Sequence, residues 1–435
     1  MKLTAFQSDK GDCLLLETTS GKNRMLVDGG MRRAYGAHAA PALGALRKAK
    51  KKLDIVYVSH IDQDHISGVL EMLDDEAAWR VHEHQAQSGN ASHPQPKAPR
   101  PPEIGKLYHN SFQDQVGENS GEIEGMLAAT AQFLAGSGNA WLREVAEARA
   151  QIATSIPEAI RVSQRIRSDQ LGIALNPEFN GKLMMVRDAI PAIKLGSIRL
   201  KVLGPFPADL SKLRKDWNAW LGKHQETVKS LRKQAQQDAI DMSASDADRV
   251  IGPVLSSSEA FSAMEVALAK ELGNRNKVTA PNLASLMFLA EENGETLLLT
   301  GDGHSDDILK GLEYHAVFDA NDQLDVTVLK VQHHGSEHNI DQKFCDRVTA
   351  SHYVFCGNGE NENPDLDVLE LIFARRMAGD ARKFKFWFNS SSKASFDAGG
   401  SAHMKKVESL VAKLAQKSKG RLSNEFIKGS ALRIL

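Results

Sequence analysis

A short apolar strand that empties into a dense cluster of metal-seeking side chains constrains this chain more than anything else in it. Leu53-Asp54-Ile55-Val56-Tyr57-Val58 is apolar and β-branched and runs straight into Ser59-His60-Ile61-Asp62-Gln63-Asp64-His65, after which a helix is predicted from about Ile66. A buried strand that ends in a polar loop and a helix start is where α/β folds place ligands. His60 and Asp62 alternate to one side of an extended loop, while Asp64 and His65 turn back at the helix start to face a second ion. Histidine and aspartate also cap helices and close turns. Four of them within six residues exceed what capping requires.

Two further clusters stand at equivalent places in the second half. Leu297-Leu298-Leu299-Thr300-Gly301-Asp302 puts a carboxylate just beyond an apolar run, and Leu329-Lys330-Val331-Gln332-His333-His334-Gly335-Ser336 does the same with paired histidines. A dinuclear site needs one anionic ligand shared between its ions, and Asp302 suits that place. A further histidine ligand is expected at His109, in Leu107-Tyr108-His109-Asn110, with His82 and His84, two apart on a strand-like piece, as competitors. Asn110, Asn282, Ser285 and Ser336 are candidates for supporting these ligands.

The rest of the chain supplies a frame. Strand-like pieces recur at 14–17, 25–28, 198–203, 286–290, 296–300, 326–331, 353–356 and 384–388, and a helix with a basic end is predicted over 41–52. The segment 85–102 contains Pro-Gln-Pro-Lys-Ala-Pro-Arg-Pro-Pro and is predicted to be extended, as a linker or a lid, with a docking peptide as the alternative. Residues 122–167 read as helical, and one long helix is predicted over 207–239. From 211 to 233, Lys212, Arg214, Lys215, Lys223, Lys229, Arg232 and Lys233 face only Asp216 and Glu226. That is either a solvated face or a guide for an anionic polymer. Over the whole chain 54 lysines and arginines balance 55 aspartates and glutamates, which excludes a globally basic nucleic-acid coat and an acidic disordered chain. Three scattered cysteines support neither a disulfide framework nor a zinc knuckle. No signal-like or membrane-spanning run is present, so the expectation is a cytoplasmic protein without a membrane partner.

The motifs together resemble the metallo-β-lactamase superfamily, with its pattern His-x-His-x-Asp-His, an early Asp, a later His, an Asp and a final His. By that resemblance Asp28 in Val27-Asp28-Gly29-Gly30 supports the loop, His60, Asp62, Asp64 and His65 form the central motif, Asp302 bridges, and His334 is the final ligand. The resemblance implies an αββα sandwich of the α/β (α+β) class, read here as a single domain over 1–435 with helical insertions at about 111–175 and 208–275. More narrowly, Ser59–Gly68, TGDG and KVQHHGS resemble soluble relatives of the ComEC competence-protein hydrolase domain, a branch associated with phosphodiesters including nucleic acids. Relatives among bacterial defence effectors make antiviral defence one expected role.

Asp62 stands where the superfamily in general has histidine. A carboxylate hardens that site and tilts it from zinc toward manganese or magnesium. The expected protein is therefore a metal-dependent phosphodiesterase or nuclease holding two divalent ions, Zn²⁺ or Mn²⁺. Asp64 would orient the nucleophile and His333 would donate a hydrogen bond to the phosphate or the leaving group. Lys212, Arg214, Lys215, Lys229, Arg232 and Lys233 are candidate nucleic-acid contacts. A regulatory protein partner or an activating protease is expected if the proline-rich loop or the insertions cover the site. The alternative is hydrolysis of a lactone, a thioester or a small phosphodiester at the same centre.

Overall fold

The computed structural model describes residues 1–90, 92–110, 158–159, 161–187, 192–208, 285–379, 381–395 and 397–435. Asn282, the six basic candidates from Lys212 to Lys233 and most of both expected insertions lie outside these residues.

In chain order the described elements begin with β1 (Lys2–Phe6), β2 (Leu14–Glu17) and β3 (Arg24–Val27). Next come α1 (Arg32–Ala34), α2 (Ala40–Lys48), β4 (Leu53–Tyr57), α3 (Gln63–Gln87), β5 (Ile104–Tyr108) and β6 (Ala174–Leu175). The second half holds β7 (Ile193–Leu195), β8 (Ile198–Gly204), β9 (Met287–Glu292), β10 (Glu295–Leu299), α4 (Ser305–Tyr314), β11 (Leu324–Lys330), α5 (Gln342–Arg347) and β12 (Val348–Phe355). It closes with α6 (Leu366–Ala378), β13 (Phe384–Phe388), α7 (Ala398–Lys417), β14 (Leu422–Phe426) and β15 (Ala431–Arg433).

The strands form a seven-stranded sheet, β15-β1-β2-β3-β4-β5-β6, and an eight-stranded sheet, β14-β13-β12-β11-β10-β9-β8-β7. Side chains alternate across each strand, and the alternation sorts the core into three layers. Leu14, Leu16, Met25, Val27, Ile55 and Tyr57 meet Leu297, Leu299 and Val328 between the sheets. Leu15, Leu26 and Val56 point the other way, toward Leu43 of α2 and Ile66, Val69 and Leu70 of α3. Leu298 and Leu329 likewise face α4 to α7, against Ile308, Phe344, Leu369 and Val407. Strands apolar on both faces therefore sit inside two coats of helices. The result is the αββα sandwich that the resemblance implied.

Parallel pairing joins β3, β4 and β5 in one sheet and β10, β11, β12 and β13 in the other. Their C-terminal ends thus line up along one edge of each sheet. Because β2 is antiparallel to both β1 and β3, the β1–β2 hairpin loop reaches the same edge.

Several local expectations change. The helix over 41–52 stops at Lys48. The helix expected from Ile66 begins at Gln63 and continues to Gln87, so His82 and His84 lie on a helix rather than a strand. At about 1.5 Å per residue they sit roughly 30 Å from its start. The proline-rich segment is a strap rather than a lid. Trp79 Nε1 donates to the carbonyl of Ala98 at 3.0 Å, and the Arg100 guanidinium grips both oxygens of Glu76 at 3.1 and 3.2 Å and also contacts Glu83. These bonds fix the segment along α3. No described helix is long and apolar enough to cross a membrane.

Candidate metal centre

Four loops meet at the shared edge. The first follows β4 and carries Ser59 to His65, the second follows β5 and carries His109, the third follows β10 and carries Asp302, and the fourth follows β11 and carries His333 and His334. Asp302 stands in the middle. Its Oδ2 lies 3.4 Å from His65 Nε2 and from His334 Nε2, 3.5 Å from His60 Nε2 and 3.7 Å from His333 Nε2. These distances exceed the 2.7–2.9 Å typical of charge-assisted hydrogen bonds. They match the roughly 3.3 Å between two donors that share a tetrahedral ion at bond lengths of about 2.0 Å.

On one side of Asp302, Asp62 Oδ2 lies 3.6 Å from His60 Nε2. On the other, Asp64 Oδ2 lies 3.1 Å from His334 Nε2 and 3.9 Å from His65 Nε2. His60, His65 and Asp302 form one group able to hold a metal ion. The set has further marks of a cation site. Asp62 occupies the N-cap position of α3, where an aspartate ordinarily accepts a backbone N–H, yet its side chain makes no cap bond and its Oδ1 is buried without a partner. His60 Nε2 and both ring nitrogens of His109 are likewise buried without partners. His109 is 1% exposed. Burial, with help from the charge of His60, pulls its pKa down to about 4, which keeps it a neutral donor at ordinary pH. Polar atoms are rarely left so in a protein interior unless something else satisfies them.

The surrounding bonds fix these rings. Asp28 accepts from the Ser59 backbone N–H and hydroxyl, each at 2.7 Å, and pairs with His65 Nδ1 at 2.9 Å. That leaves His65 Nε2 facing Asp302. A carboxylate behind a metal-binding histidine sets both tautomer and orientation. Asn110 binds the backbone N–H and carbonyl of Met184 at 2.8 and 2.7 Å, so it ties a neighbouring segment rather than entering the centre. Ser285 is buried beside Gly301. Ser336 closes the turn after the histidines, its N–H donating to the His333 carbonyl at 2.9 Å.

His333 and His334 both adopt left-handed backbone, with φ of 45° and 57°. Non-glycine residues held there cost about 1–3 kcal/mol each, and such strain gathers at functional sites. The turn sends the two rings in different directions. His334 points inward. His333 faces the cleft, with Nδ1 2.6 Å from Asn339 Oδ1. The Asn339 amide nitrogen donates to the Asp302 carbonyl at 2.9 Å, so its oxygen is the atom turned to His333, and His333 Nδ1 must be the donor. Burial outweighs the pull of Asp302 and lowers the His333 pKa. The neutral ring therefore presents a bare Nε2 to the cleft, which accepts a proton rather than donating one.

Two residues were missed in the sequence. Asp12, on the β1–β2 loop, lies 3.3 Å from His334 Nδ1. That is the ring nitrogen turned away from Asp302, so although Asp12, His65 and His334 are close enough together to hold an ion, Asp12 orients His334. Lys330, the last residue of β11, is 1% exposed and reaches Asp12 Oδ2 at 2.5 Å, the Gly301 carbonyl at 2.9 Å and Asp302 Oδ1 at 3.5 Å. The Lys330 ammonium thus neutralises two carboxylates from beneath. Gly11 makes this possible, since a Cβ there would stand 1.6 Å from the Asp64 carbonyl oxygen. The available signals were a Gly-Asp pair just before an apolar strand and a lysine ending an otherwise apolar one.

The charges do not balance among protein groups alone. Burial disfavours the charged rings of His65 and His334, but the encircling carboxylates, Asp302 foremost, outweigh it and hold both well above the imidazole range. Burial likewise opposes ionisation of Asp302, and His334, His65, His333 and His60 overcome it. Asp12, Asp28, Asp62, Asp64 and Asp302 against Lys330 and the rings of His65 and His334 still leave a deficit of positive charge, which divalent ions taking the place of the ring protons can supply, and the donor set fits them.

Beside the centre opens a small cleft lined by Asp62, Asp64, Asp302, His333 and His334, by Lys10 and by the loop after β12 from Gly357 to Asn363. Its described lining contains no apolar side chain.

The metallo-beta-lactamase superfamily model matches residues 9–130 of the chain. That span contains Asp12, Asp28, the 60–65 cluster and His109, and ends before Asp302 and His334. The match suggests a metal-dependent hydrolase. No curated protein matches the chain.

Proposed function

We propose that this protein is a phosphodiester hydrolase that works with two divalent ions, manganese or zinc, on DNA or RNA. In this reading His60, Asp62 and His109 would hold one ion, Asp64, His65 and His334 would hold the other, and Asp302 would serve both. The ion pair would supply a lowered pKa for water and neutralisation of the phosphate's charge. The protein's own groups do the rest. Asp64 borders the cleft and is placed to accept a hydrogen bond from the attacking water. His333, its tautomer set by Asn339, takes up a proton at Nε2 and returns it to the leaving oxygen. Asp28 and Asp12 hold the rings of His65 and His334 in register.

The observation that carries this reading is the polar cleft. Pockets for small acyl substrates are lined largely by apolar side chains, whereas this cleft offers asparagines, histidines, a lysine and the carboxylates of Asp62, Asp64, Asp302 and Glu360, the first three of which bound ions would neutralise. Two divalent ions together with Lys330 would offset Asp12, Asp28, Asp62, Asp64 and Asp302, so that the carboxylates would no longer repel an anion. The basic run from Lys212 to Lys233 is the proposed contact for a longer nucleic acid.

The test is metal analysis of the purified protein, followed by incubation with plasmid, single-stranded DNA, RNA, a chromogenic phosphodiester and a chromogenic lactone in Zn²⁺, Mn²⁺ and Mg²⁺. Diester cleavage that disappears in Asp64→Ala/His65→Ala is the expected result. His109→Ala should lose one of two bound ions while His84→Ala keeps both. Cleavage of the lactone without any diester would overturn the proposal, as would diester cleavage surviving in the double variant.

A further inference from the structure

Lys10 stands on the β1–β2 loop at the mouth of the cleft, and among the described lining residues it is the lysine or arginine. Its neighbours are acidic. Nζ lies 3.4 Å from Glu360 Oε2, with side chains 22% and 31% exposed. Burial works against its charge, and Asp64, Glu360 and Asp9 outweigh that, so Lys10 stays an ammonium. The two loops that carry this pair are fixed to each other. The buried Asn358 donates to Asp9 Oδ1 at 2.6 Å and to Glu360 Oε1 at 3.3 Å, while its own oxygen accepts the Glu360 backbone N–H at 2.9 Å.

None of the positioning described for the metal centre uses Lys10. A partly exposed ion pair at this separation contributes little, about 1 kcal/mol or less. Lys10 can therefore exchange Glu360 for another anion without loss. Asp64, the strongest of these attractions, would be neutralised when the adjoining donors carry divalent ions, which leaves Asp9, itself engaged by Asn358, and Glu360. The anion within reach is then whatever projects from the centre toward the mouth.

We infer that Lys10 is the substrate contact of this cleft and that Glu360 is its charge selector, so that the site takes a monoanionic phosphodiester in preference to a dianionic phosphomonoester. The inference rests on the phosphodiester reading and narrows it. A diester bound at the centre offers one non-bridging oxygen to the Lys10 ammonium and sends a neutral ester oxygen past Glu360 and Asp9. A monoester sends a second charged oxygen toward those two carboxylates, where like charge repels it.

The experiment compares wild type, Lys10→Ala and Glu360→Gln as metal-loaded proteins of measured ion content. Kinetics are taken on bis(p-nitrophenyl) phosphate and p-nitrophenyl phosphate, and calorimetric titrations use diethyl phosphate and inorganic phosphate. Lys10→Ala should raise KM for the diester and weaken diethyl phosphate binding by about tenfold, the loss of one charge-assisted contact, with ion content unchanged. Glu360→Gln should improve inorganic phosphate binding and monoester turnover relative to the diester severalfold. If wild type cuts the diester and Lys10→Ala has the same KM and the same titration, the inference falls and the phosphodiester reading stands. If wild type cuts no diester but binds diethyl phosphate in a Lys10-dependent way, the reading falls and the anion contact stands. Absence of both cleavage and binding overturns both, and an unchanged preference in Glu360→Gln overturns the selector.

Discussion

Lys330 shows how much of this centre depends on a residue that faces away from the cleft. Its ammonium is buried against Asp12 and supports Asp302 from below, so removing it strands a buried carboxylate. Lys330→Met should destabilise the protein by about 3–5 kcal/mol, as the loss of one partner from a buried pair does, read by denaturant unfolding in chelator. Metal affinity should fall by about 10- to 100-fold, the usual effect of losing support behind a ligand. Adding Asp12→Asn should recover much of the stability without recovering the affinity, because no buried charge is then left alone while Asp302 and His334 remain unsupported. Equal recovery of both would show that the pair serves the fold alone.

Asp12 and Lys330 also mark where the sequence stops being readable. The His and Asp clusters were legible because their members are neighbours in the chain and follow apolar strands. The Asp12–Lys330 pair joins residues roughly three hundred positions apart, and a lysine that ends a strand reads as a solvent-facing terminus. The tautomer of His333 was equally hidden, since it is set by Asn339, six residues on and past a left-handed turn.

At the scale of elements, α3 combines a functional end with a strained middle. Asp62, Asp64 and His65 occupy its first turn. Further along, Asp75 is half-buried, and burial, with Glu71 and Asp74 beside it, raises its pKa to about 6. The folded state therefore binds this proton more tightly than the unfolded state, whose carboxyl titrates near 3.9. Stability falls as pH rises between those values, and the penalty is complete above about 6. Asp75→Asn should raise Tm at pH 7.5 and change it little at pH 4, as thermal melts in chelator would show. An equal gain at both pH values would mean that packing, not charge, is responsible. The length of α3 was obscured in the sequence because it runs on into the polar stretch 81–87, whose histidines at alternate positions imitate a strand. The strap over 94–102 was readable as extended chain, but its destination was not, because Arg100 finds Glu76 only once both are placed in space.

For the whole molecule, the three-layer core follows from strand alternation, and the order of strands in each sheet follows from parallel pairing that no local pattern announces. The donors come from both sheets: His60, His65 and His109 from the first, Asp302 and His334 from the second. Ions bound between them would tie the sheets together and would stabilise the folded state by mass action, by about 4 kcal/mol at a free concentration a thousandfold above Kd. Exhaustive chelation should lower Tm, and Mn²⁺ or Zn²⁺ should restore it in wild type but not in Asp302→Ala. A Tm indifferent to chelation would argue against ions spanning the sheets.

The same division between sheets sets an order in time. Roughly two hundred residues separate His109 from Asp302. At the usual 5–20 residues per second of synthesis, the first sheet's histidines and carboxylates leave the ribosome about 10–40 s before the shared aspartate does. During that interval the nascent chain would present half of the proposed donor set without Asp302, so durable loading with ions would belong to the completed polypeptide rather than to the growing one.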